Sequence, residues 1–356
     1  MIDSIFVDNF KQFCSFRLEN LNRVNVISGS NNTGKSTILE ALFFFYDRGT
    51  ADNIFKQLSF RGINSIKLDK YPLWTPLFND FDITKTITIR VTDSGQTYEA
   101  KYTHEDNAQG DISSTQPKTE KFNNSIITKS STISALKSAY KQGRVSQGES
   151  YLYAGNEDNF HLSYKNLFLV KKRVVYVGSY TRNYAIDDAN KYGELVVAGD
   201  DQQILSLIQK LEPRVKSIVL ATYNGEPSIY CDVGLKRRVP LSMMGEGIGK
   251  YFSIIVSLSY VDNSIICIDE LENGLHYSLF PSILEAIEKI AIEKNNQVFI
   301  TTHNHDLLKG LNIHLKDSKS ESFEYIRIDR KGDKYLPKYY DSELISSAID
   351  SEWEIR

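Results

Sequence analysis

Nine residues near the start constrain this chain more than any other feature. Gly29-Ser30-Asn31-Asn32-Thr33-Gly34-Lys35-Ser36-Thr37 satisfies GxxxxGK[ST], a loop that works only between the end of a strand and the start of a helix. Both flanks are in place. Residues 24–28 (VNVIS) are an apolar strand-like run, and residues 35–46 put Ile38, Leu39, Leu42 and Phe45 on one helical face. The order has a physical reason. Backbone N–H groups of the loop and of the helix N-terminus converge on phosphate, where the helix dipole favours negative charge. Gly29 and Gly34 permit close backbone approach, with Asn31, Asn32 and Thr33 between them. Lys35 brings a point charge to the β- and γ-phosphates, and Ser36, followed by Thr37, offers a hydroxyl to Mg²⁺. A surface turn capping a helix is the competing account, and the strand–loop–helix context argues against it.

Three further stretches carry chemistry. The apolar run 265–268 (IICI) ends in Asp269-Glu270, and two acids at the end of a buried strand need a cation or a reaction to justify them. Asp269 is suited to hold Mg²⁺ through water, and Glu270 to orient or deprotonate an attacking water. The next apolar run, 298–300, ends in Thr301-Thr302-His303. Ligands gather at the carboxyl ends of strands in an open parallel sheet, so His303 is expected to hydrogen-bond a γ-phosphate; capping the following segment is its alternative. His303-Asn304-His305 also spells HNH, but without the second histidine and ββα context of a nuclease. Two histidines two apart on a loop, with no cysteine nearby, make a poor zinc site. The third stretch, Leu241-Ser242-Met243-Met244-Gly245-Glu246-Gly247-Ile248-Gly249, opens a helix over 247–261 and is a second phosphate-friendly N-terminus. One chain gains nothing from two cradles unless the second serves a neighbour's nucleotide.

Composition sets the bounds. A chain of 356 residues, 41% hydrophobic and 24% charged, fits a globular protein of one large domain or two, and a formal net charge of −3 gives no global field steering it to nucleic acid. Cys14, Cys231 and Cys267 are scattered and odd in number, which favours a reducing compartment, and Cys267 reads as a core residue. With no apolar stretch of roughly 20 residues and no secretion signal at the start, a soluble cytoplasmic protein with no membrane partner is expected. Buried strands alternating with helices imply an α/β fold: a mixed, mostly parallel core sheet with flanking helices, beside an antiparallel β part. In the latter, 83–92 and 96–103 pair as a hairpin across Asp93-Ser94-Gly95. Helices are expected over 200–211, 247–261 and 277–294, a β pair at 217–223 and 228–233, and further strands at 171–178, 264–268 and 297–302. From 104 to about 164 the composition turns polar, with one helix suggested over 131–141. The expected division is 1–103 as the N-terminal part of the main domain, 104–165 as a polar inserted lobe, 166–315 as the C-terminal part, and 316–356 as a β/α extension.

Taken in order, the phosphate loop, serine-glycine signature, apolar-Asp-Glu strand and strand-end histidine resemble the ABC-type ATPases of the SMC-like and OLD (overcoming lysogenization defect) group, most closely their AAA15/AAA21 branch. Phe6-Val7-Asp8-Asn9-Phe10-Lys11 resembles the "NFKSF" strand that opens those proteins. Asp269-Glu270-Leu271-Glu272-Asn273-Gly274-Leu275-His276 is close to the branch's "DEIENGLH", Met244-Gly245-Glu246-Gly247 matches "GEG", and Trp353-Glu354-Ile355-Arg356 is similar to the branch's ending. The resemblance covers about 1–95 and 166–356. It implies a P-loop NTPase of ABC/SMC-like type that binds ATP with Mg²⁺ at Ser36 and Asp269 and hydrolyses it, with Glu270 and His303 as catalytic residues. By the same resemblance Ser242, Gly245 and Gly247 contact the γ-phosphate of ATP on a second protomer, so a homodimer is the minimum, and rings built from dimers fit too. Asn273 and His276 belong to the loop joining the two sites; a helix cap is the alternative for His276.

The departures matter as well. The signature is not the LSGGQ of transporter ATPases, so a transporter subunit fits poorly. OLD nucleases carry a TOPRIM domain with Glu and Asp-x-Asp ligands, and Asp329, Asp333 and Asp341 do not form that spacing. The resemblance therefore implies an ATPase switch subunit of a bacterial anti-phage system, similar to that of PARIS. It would control a separate effector polypeptide, a TOPRIM-type nuclease being the foremost class, in response to a phage-encoded trigger. The alternative is a DNA-repair or recombination ATPase that clamps duplex DNA on ATP-driven dimerisation, with Lys171-Lys172-Arg173 and Lys236-Arg237-Arg238 as phosphate contacts.

Overall fold

The computed structural model describes residues 1–47, 53–59, 72–106, 134–154, 160–165, 172–178, 185–223 and 225–350. Lys171 and the Trp353-Glu354-Ile355-Arg356 ending lie outside them. In chain order the elements are β1 (Ile2–Phe10), β2 (Phe13–Leu18), β3 (Val24–Ser28), α1 (Lys35–Tyr46), α2 (Asn53–Ser59), β4 (Ile87–Asp93), β5 (Gln96–Glu105), β6 (Ala135–Gln142), β7 (Val145–Ala154), β8 (Phe160–Lys165), β9 (Val174–Val177), α3 (Ala185–Ala198) and α4 (Asp201–Leu211). Then follow β10 (Ser217–Tyr223), β11 (Glu226–Asp232), β12 (Val239–Pro240), α5 (Glu246–Tyr260), β13 (Ile265–Ile268), α6 (Phe280–Glu293), β14 (Gln297–Thr301), α7 (His305–Ser318), β15 (Phe323–Lys331), β16 (Lys334–Tyr340) and α8 (Ser342–Asp350). They fall into two units, one of residues 20–39 and 172–356 with Met1, the other of 2–19 and 40–171.

The first unit is built on a six-stranded sheet in the order β16-β15-β3-β14-β13-β9. Its five strands from β15 to β9 run parallel, and β16 pairs antiparallel at the edge. Every residue of β3, β13 and β14 is buried, which explains why these strands are mostly apolar with no strict alternation: a sheet covered on both faces has no wet side to alternate with. The core comes from the apolar faces of α3 to α7, including Tyr251, Phe252, Ile255 and Leu258 of α5 and Ile283, Leu284 and Ile287 of α6. Cys267 is buried in β13 and, like Cys14 and Cys231, is a free thiol. A small antiparallel sheet, β10-β11-β12, belongs to the same unit. Because β3, β13 and β14 are parallel and in register, Ile27 opposite Thr301 and Ile268 opposite Ile300, the segments that follow them leave the same edge of the sheet side by side.

The second unit is a seven-stranded antiparallel sheet in the order β2-β1-β4-β5-β6-β7-β8. The β4–β5 hairpin closes with Asp93 opposite Gln96, and both turn residues, Ser94 and Gly95, have positive φ (52° and 76°), the pattern of a tight two-residue hairpin. Phe44 of α1 stacks on Tyr102 at 4.3 Å between ring centroids. Glu40, the acid that interrupts the helix's apolar run, is buried and paired with Lys11 at 2.8 Å.

Two expectations need correcting. The helix suggested over 131–141 is absent from its described part: residues 135–142 form β6, with Leu136, Ser138 and Tyr140 buried at period two. Pairing with β5 on one side and β7 on the other outweighs the helical preference of its Ala, Leu and Lys residues. Nor do the described strands of the expected 104–165 lobe stand apart, since β6, β7 and β8 extend the sheet that β1, β2, β4 and β5 begin. The 277–294 helix starts as a 3-10 turn (Tyr277–Leu279) before α6, whose first turn holds Pro281 where its missing N–H costs nothing. Among the described residues no helix is long and apolar enough to cross a membrane.

Candidate functional site

The site forms in the first unit, where β3, β13 and β14 end. After Ser28 the chain turns through Gly29 at φ +143°. A Cβ there would lie 2.5 Å from the Ile328 carbonyl oxygen of β15 and 2.8 Å from Thr33 Oγ1, so only glycine fits, on grounds of both conformation and space. Asn32 and Gly34 also take positive φ (62° and 91°), and Thr33 Oγ1 donates to the Ser30 carbonyl at 2.9 Å. These bends wrap the backbone around the ammonium of Lys35, which donates to the carbonyls of Gly29 (2.8 Å) and Ser30 (3.0 Å). Burial draws the Lys35 pKa down, while the carboxylates of Glu270, Glu272 and Asp269 pull it back. Three carboxylates around one lysine leave a net negative surround, which a divalent cation beside the loop would offset before phosphate could enter.

The acids arrive from the two neighbouring strands. Asp269, the residue after β13, accepts hydrogen bonds on one oxygen from Ser36 Oγ (2.8 Å) and Thr301 Oγ1 (2.6 Å), joining the ends of all three strands. A hydroxyl beside a carboxylate oxygen is a hard donor pair of the kind Mg²⁺ takes when water and phosphate oxygens supply the rest. Among the described residues, no cluster of three or more His, Cys, Asp or Glu is placed to hold a metal by itself. Glu270 has φ +48°, an unusual conformation for a non-glycine residue. Its N–H donates to Thr301 Oγ1 (2.9 Å), and its Oε2 accepts from Asn273 Nδ2 (2.7 Å). His303 stands across from it, with Nδ1 3.9 Å from Glu270 Oε1 and 3.0 Å from Glu272 Oε1. The structure thus brings Gly29–Thr37, Asp269, Glu270 and His303 into one cluster.

Ser242, Gly245 and Gly247 stand at the start of α5, and His276 follows the turn that touches it. Ser242 lies in the 3-10 turn Leu241–Met243, and Gly245, at φ +108°, is the N-cap of α5. A Cβ on Gly247 would sit 2.2 Å from the Gly274 carbonyl oxygen, so the start of α5 and the 273–276 turn touch backbone to backbone. His276 caps the 3-10 turn Tyr277–Leu279, its Nδ1 lying 2.9 Å from Ser278 Oγ. That is the capping alternative in place, and an exposed ring remains on the same turn.

Sequence reasoning missed two residues. Lys250 is 1% exposed in α5, and its ammonium donates to the carbonyls of Gly178 (2.5 Å) and Asp269 (3.0 Å), tying the signature helix to the ends of β9 and β13. Burial lowers its pKa to about 8 against the pull of Asp269, Glu272 and Glu270. A lysine inside the apolar stretch KYFSIIVSLSY was the available signal. The other is Glu272, buried where an exposed turn residue would be expected.

A family model described as "AAA domain, putative AbiEii toxin, Type IV TA system" matches residues 24–309, a span from β3 into α7 that contains every site residue named above. The chain belongs to this AAA family. Along its whole length the AAA-family chain is similar to an ATP/GTP phosphatase of Helicobacter pylori, with 24% identity over 377 residues and 99% of each chain covered. A stretch of 45 residues is 49% identical to an uncharacterized protein of Methanocaldococcus jannaschii, 13% of this chain and 20% of that one. Among solved structures, the Smc head bound to the C-winged helix domain of ScpA aligns with a TM-score of 0.52 and 13% identity, covering 96% of this chain and 98% of that one. The family's chain here is therefore an α/β P-loop ATPase fold of the ABC/SMC-head type.

Proposed function

We propose that this AAA-family chain binds ATP with Mg²⁺, hydrolyses it at a site completed by a second copy, and serves as the switch subunit of a bacterial anti-phage system. Its output would be control of a separate effector polypeptide, a TOPRIM-type nuclease being the foremost class, under a phage-encoded trigger. The observation that carries the ATPase reading is the convergence of Ser36, Asp269 and Thr301 within hydrogen-bond reach beside the Lys35 loop. End-to-end similarity to a protein named ATP/GTP phosphatase supports hydrolysis. The family description, which names a toxin of a Type IV TA system, supports a place in a multi-component system. The narrower kinship to OLD proteins and to the PARIS subunit belongs to the same proposal.

Mechanistically, Ser36 and Asp269 would hold Mg²⁺, which when bound draws charge from the β- and γ-phosphate oxygens. The remaining work falls to the chain. Loop N–H groups from Gly29 to Thr37, with Asn31, Asn32 and Thr33 among them, cradle the phosphates, and Lys35 turns its N–H groups from two loop carbonyls to phosphate oxygens. Glu270, anchored by Asn273, orients the attacking water and takes its proton. His303 faces the γ-phosphate. Ser242, Gly245, Gly247 and His276 serve the nucleotide bound to the partner. The test is Glu270→Gln, which keeps the shape and removes the base: ATP should bind with Mg²⁺ while turnover falls by about 10²-fold or more. Wild-type turnover in that variant would remove Glu270 from the reaction. The DNA-clamp reading draws on one observation, the exposed run Lys236-Arg237-Arg238 between β11 and β12; tight duplex binding that weakens steeply with salt would favour it.

A further inference from the structure

We infer that Lys250 is a positioning residue through which one ATP site of the dimer governs the other. This rests on the proposed composite site and adds the residue that links its two halves. Lys250 lies in the second turn of α5. Its ammonium donates to the carbonyl of Gly178 (2.5 Å), just past β9, and to that of Asp269 (3.0 Å), just past β13. The residue is 1% exposed, and these two backbone carbonyls are its hydrogen-bond partners among the described residues. Neutral carbonyls offset only part of the cost of burying an ammonium. Burial works against its charge, while the carboxylates of Asp269, Glu272 and Glu270 favour it. An apolar side chain would fill the same space without that cost, in a helix whose next residues, Tyr251, Phe252, Ile254 and Ile255, are buried too. A charge kept here has a use beyond packing.

Its position decides that use. α5 grips the turn after β13 at two points. Gly247 presses on the Gly274 carbonyl oxygen, where a Cβ would come within 2.2 Å, and Lys250 holds the Asp269 carbonyl. Glu270 lies between these grips, at φ +48° and with Oε2 tied to Asn273 Nδ2 at 2.7 Å. In the composite site the start of α5 serves the partner's nucleotide, whereas Asp269 and Glu270 serve the chain's own. One helix therefore touches the machinery of both sites. When the signature closes on the partner's γ-phosphate, α5 moves as a body, and Lys250 carries the Asp269 backbone with it, setting the metal ligand and the neighbouring base. Each site then reaches its full rate only when the other is filled, a reciprocal coupling carried by contiguous hydrogen bonds.

The test compares the full-length wild type with Lys250→Met and Lys250→Gln, reading steady-state rate against ATP concentration, calorimetric ATP binding and oligomeric state. The wild type should show a Hill coefficient of about 1.5 or more, bounded by the two sites of a dimer. Methionine fills the space of the lysine stem without donor or charge. Lys250→Met should therefore still dimerise and bind ATP within about threefold of wild type, while its Hill coefficient falls to about 1 and kcat drops about tenfold. Lys250→Gln, shorter but still an N–H donor, should fall between the two in both readouts. A role confined to packing would lower thermal stability and leave the cooperativity of the folded enzyme unchanged. A folded, dimeric Lys250→Met with wild-type cooperativity thus overturns the inference, and so does a wild-type dimer whose Hill coefficient is about 1. Should the methionine variant not fold, the wild-type titration and the glutamine variant decide it. Full activity as a monomer would instead remove the composite site on which the inference rests.

Discussion

At the scale of single residues, the phosphate loop contains two kinds of requirement that mutation can separate. Lys35 serves a ligand: its ammonium, among three carboxylates, hydrogen-bonds among the described residues to two loop carbonyls. Lys35→Ala should therefore leave the melting temperature nearly unchanged and weaken ATP binding by about 10²-fold or more, as expected for a lost charge-assisted contact to phosphate; calorimetric titration checks it, and near-wild-type affinity in the folded variant would undo the site. Gly29 serves the fold. Gly29→Ala must place a Cβ 2.5 Å from the Ile328 carbonyl at φ +143°, and should cost about 2–4 kcal/mol in urea unfolding. Both residues were legible in the sequence because their meaning is local, set by neighbours a few positions away. Lys250 and Glu272 were not. Their partners, Gly178 at a distance of 72 residues and His303 at 31, are known only once the sheet is assembled.

At the scale of elements, legibility followed burial. β3, α1, β13 and β14 are fully or nearly fully covered, so their apolar runs spell their boundaries to within a residue. α3 and α7 escaped because half of each is wet and polar, and β6 was misjudged because its two sheet partners are not encoded within it. α3 also contains a testable flaw. Asp188 is buried there, its Oδ1 without a hydrogen bond, and burial raises its pKa to about 6 despite Lys191 and Ser253. The folded pKa thus exceeds the unfolded value of about 3.9. Between those values the native state binds more protons, so this group's contribution is favourable below about pH 4 and is lost as pH rises to 6. Asp188→Asn should stabilise the protein by about 1–2 kcal/mol at pH 7.5, with the gain vanishing near pH 4. Urea unfolding at the two pH values reads this directly, and a gain that is equal at both would assign the effect to something other than ionisation.

At the scale of the whole molecule, the proposed assembly rests on a count of parts. Each chain has one phosphate loop, one Asp-Glu strand end and one serine-glycine signature. The signature's described packing is with the 273–276 turn, Gly247 against Gly274. Around that contact Met243 and Tyr277 stand 76% and 60% exposed, more apolar surface than a lone turn needs and the kind of anchor an interface buries. A two-fold axis that sets each signature against the partner's loop would complete two sites at once, the closed symmetry most homo-oligomers adopt. Mixing tests this. Gly245 has open space where a side chain would project, so Gly245→Arg meets no clash and costs only the backbone strain of φ +108°; the folded variant should bind ATP and block only what the signature faces. Lys35→Ala disables the loop and leaves the signature intact. Each variant alone should be inactive. Mixed in equal amounts with free exchange, half the dimers are mixed and each has one intact site of two, so about a quarter of wild-type turnover should return. If a verified heterodimer stays silent, or if the wild type is fully active as a monomer, loop and signature act within one chain and the composite site is wrong.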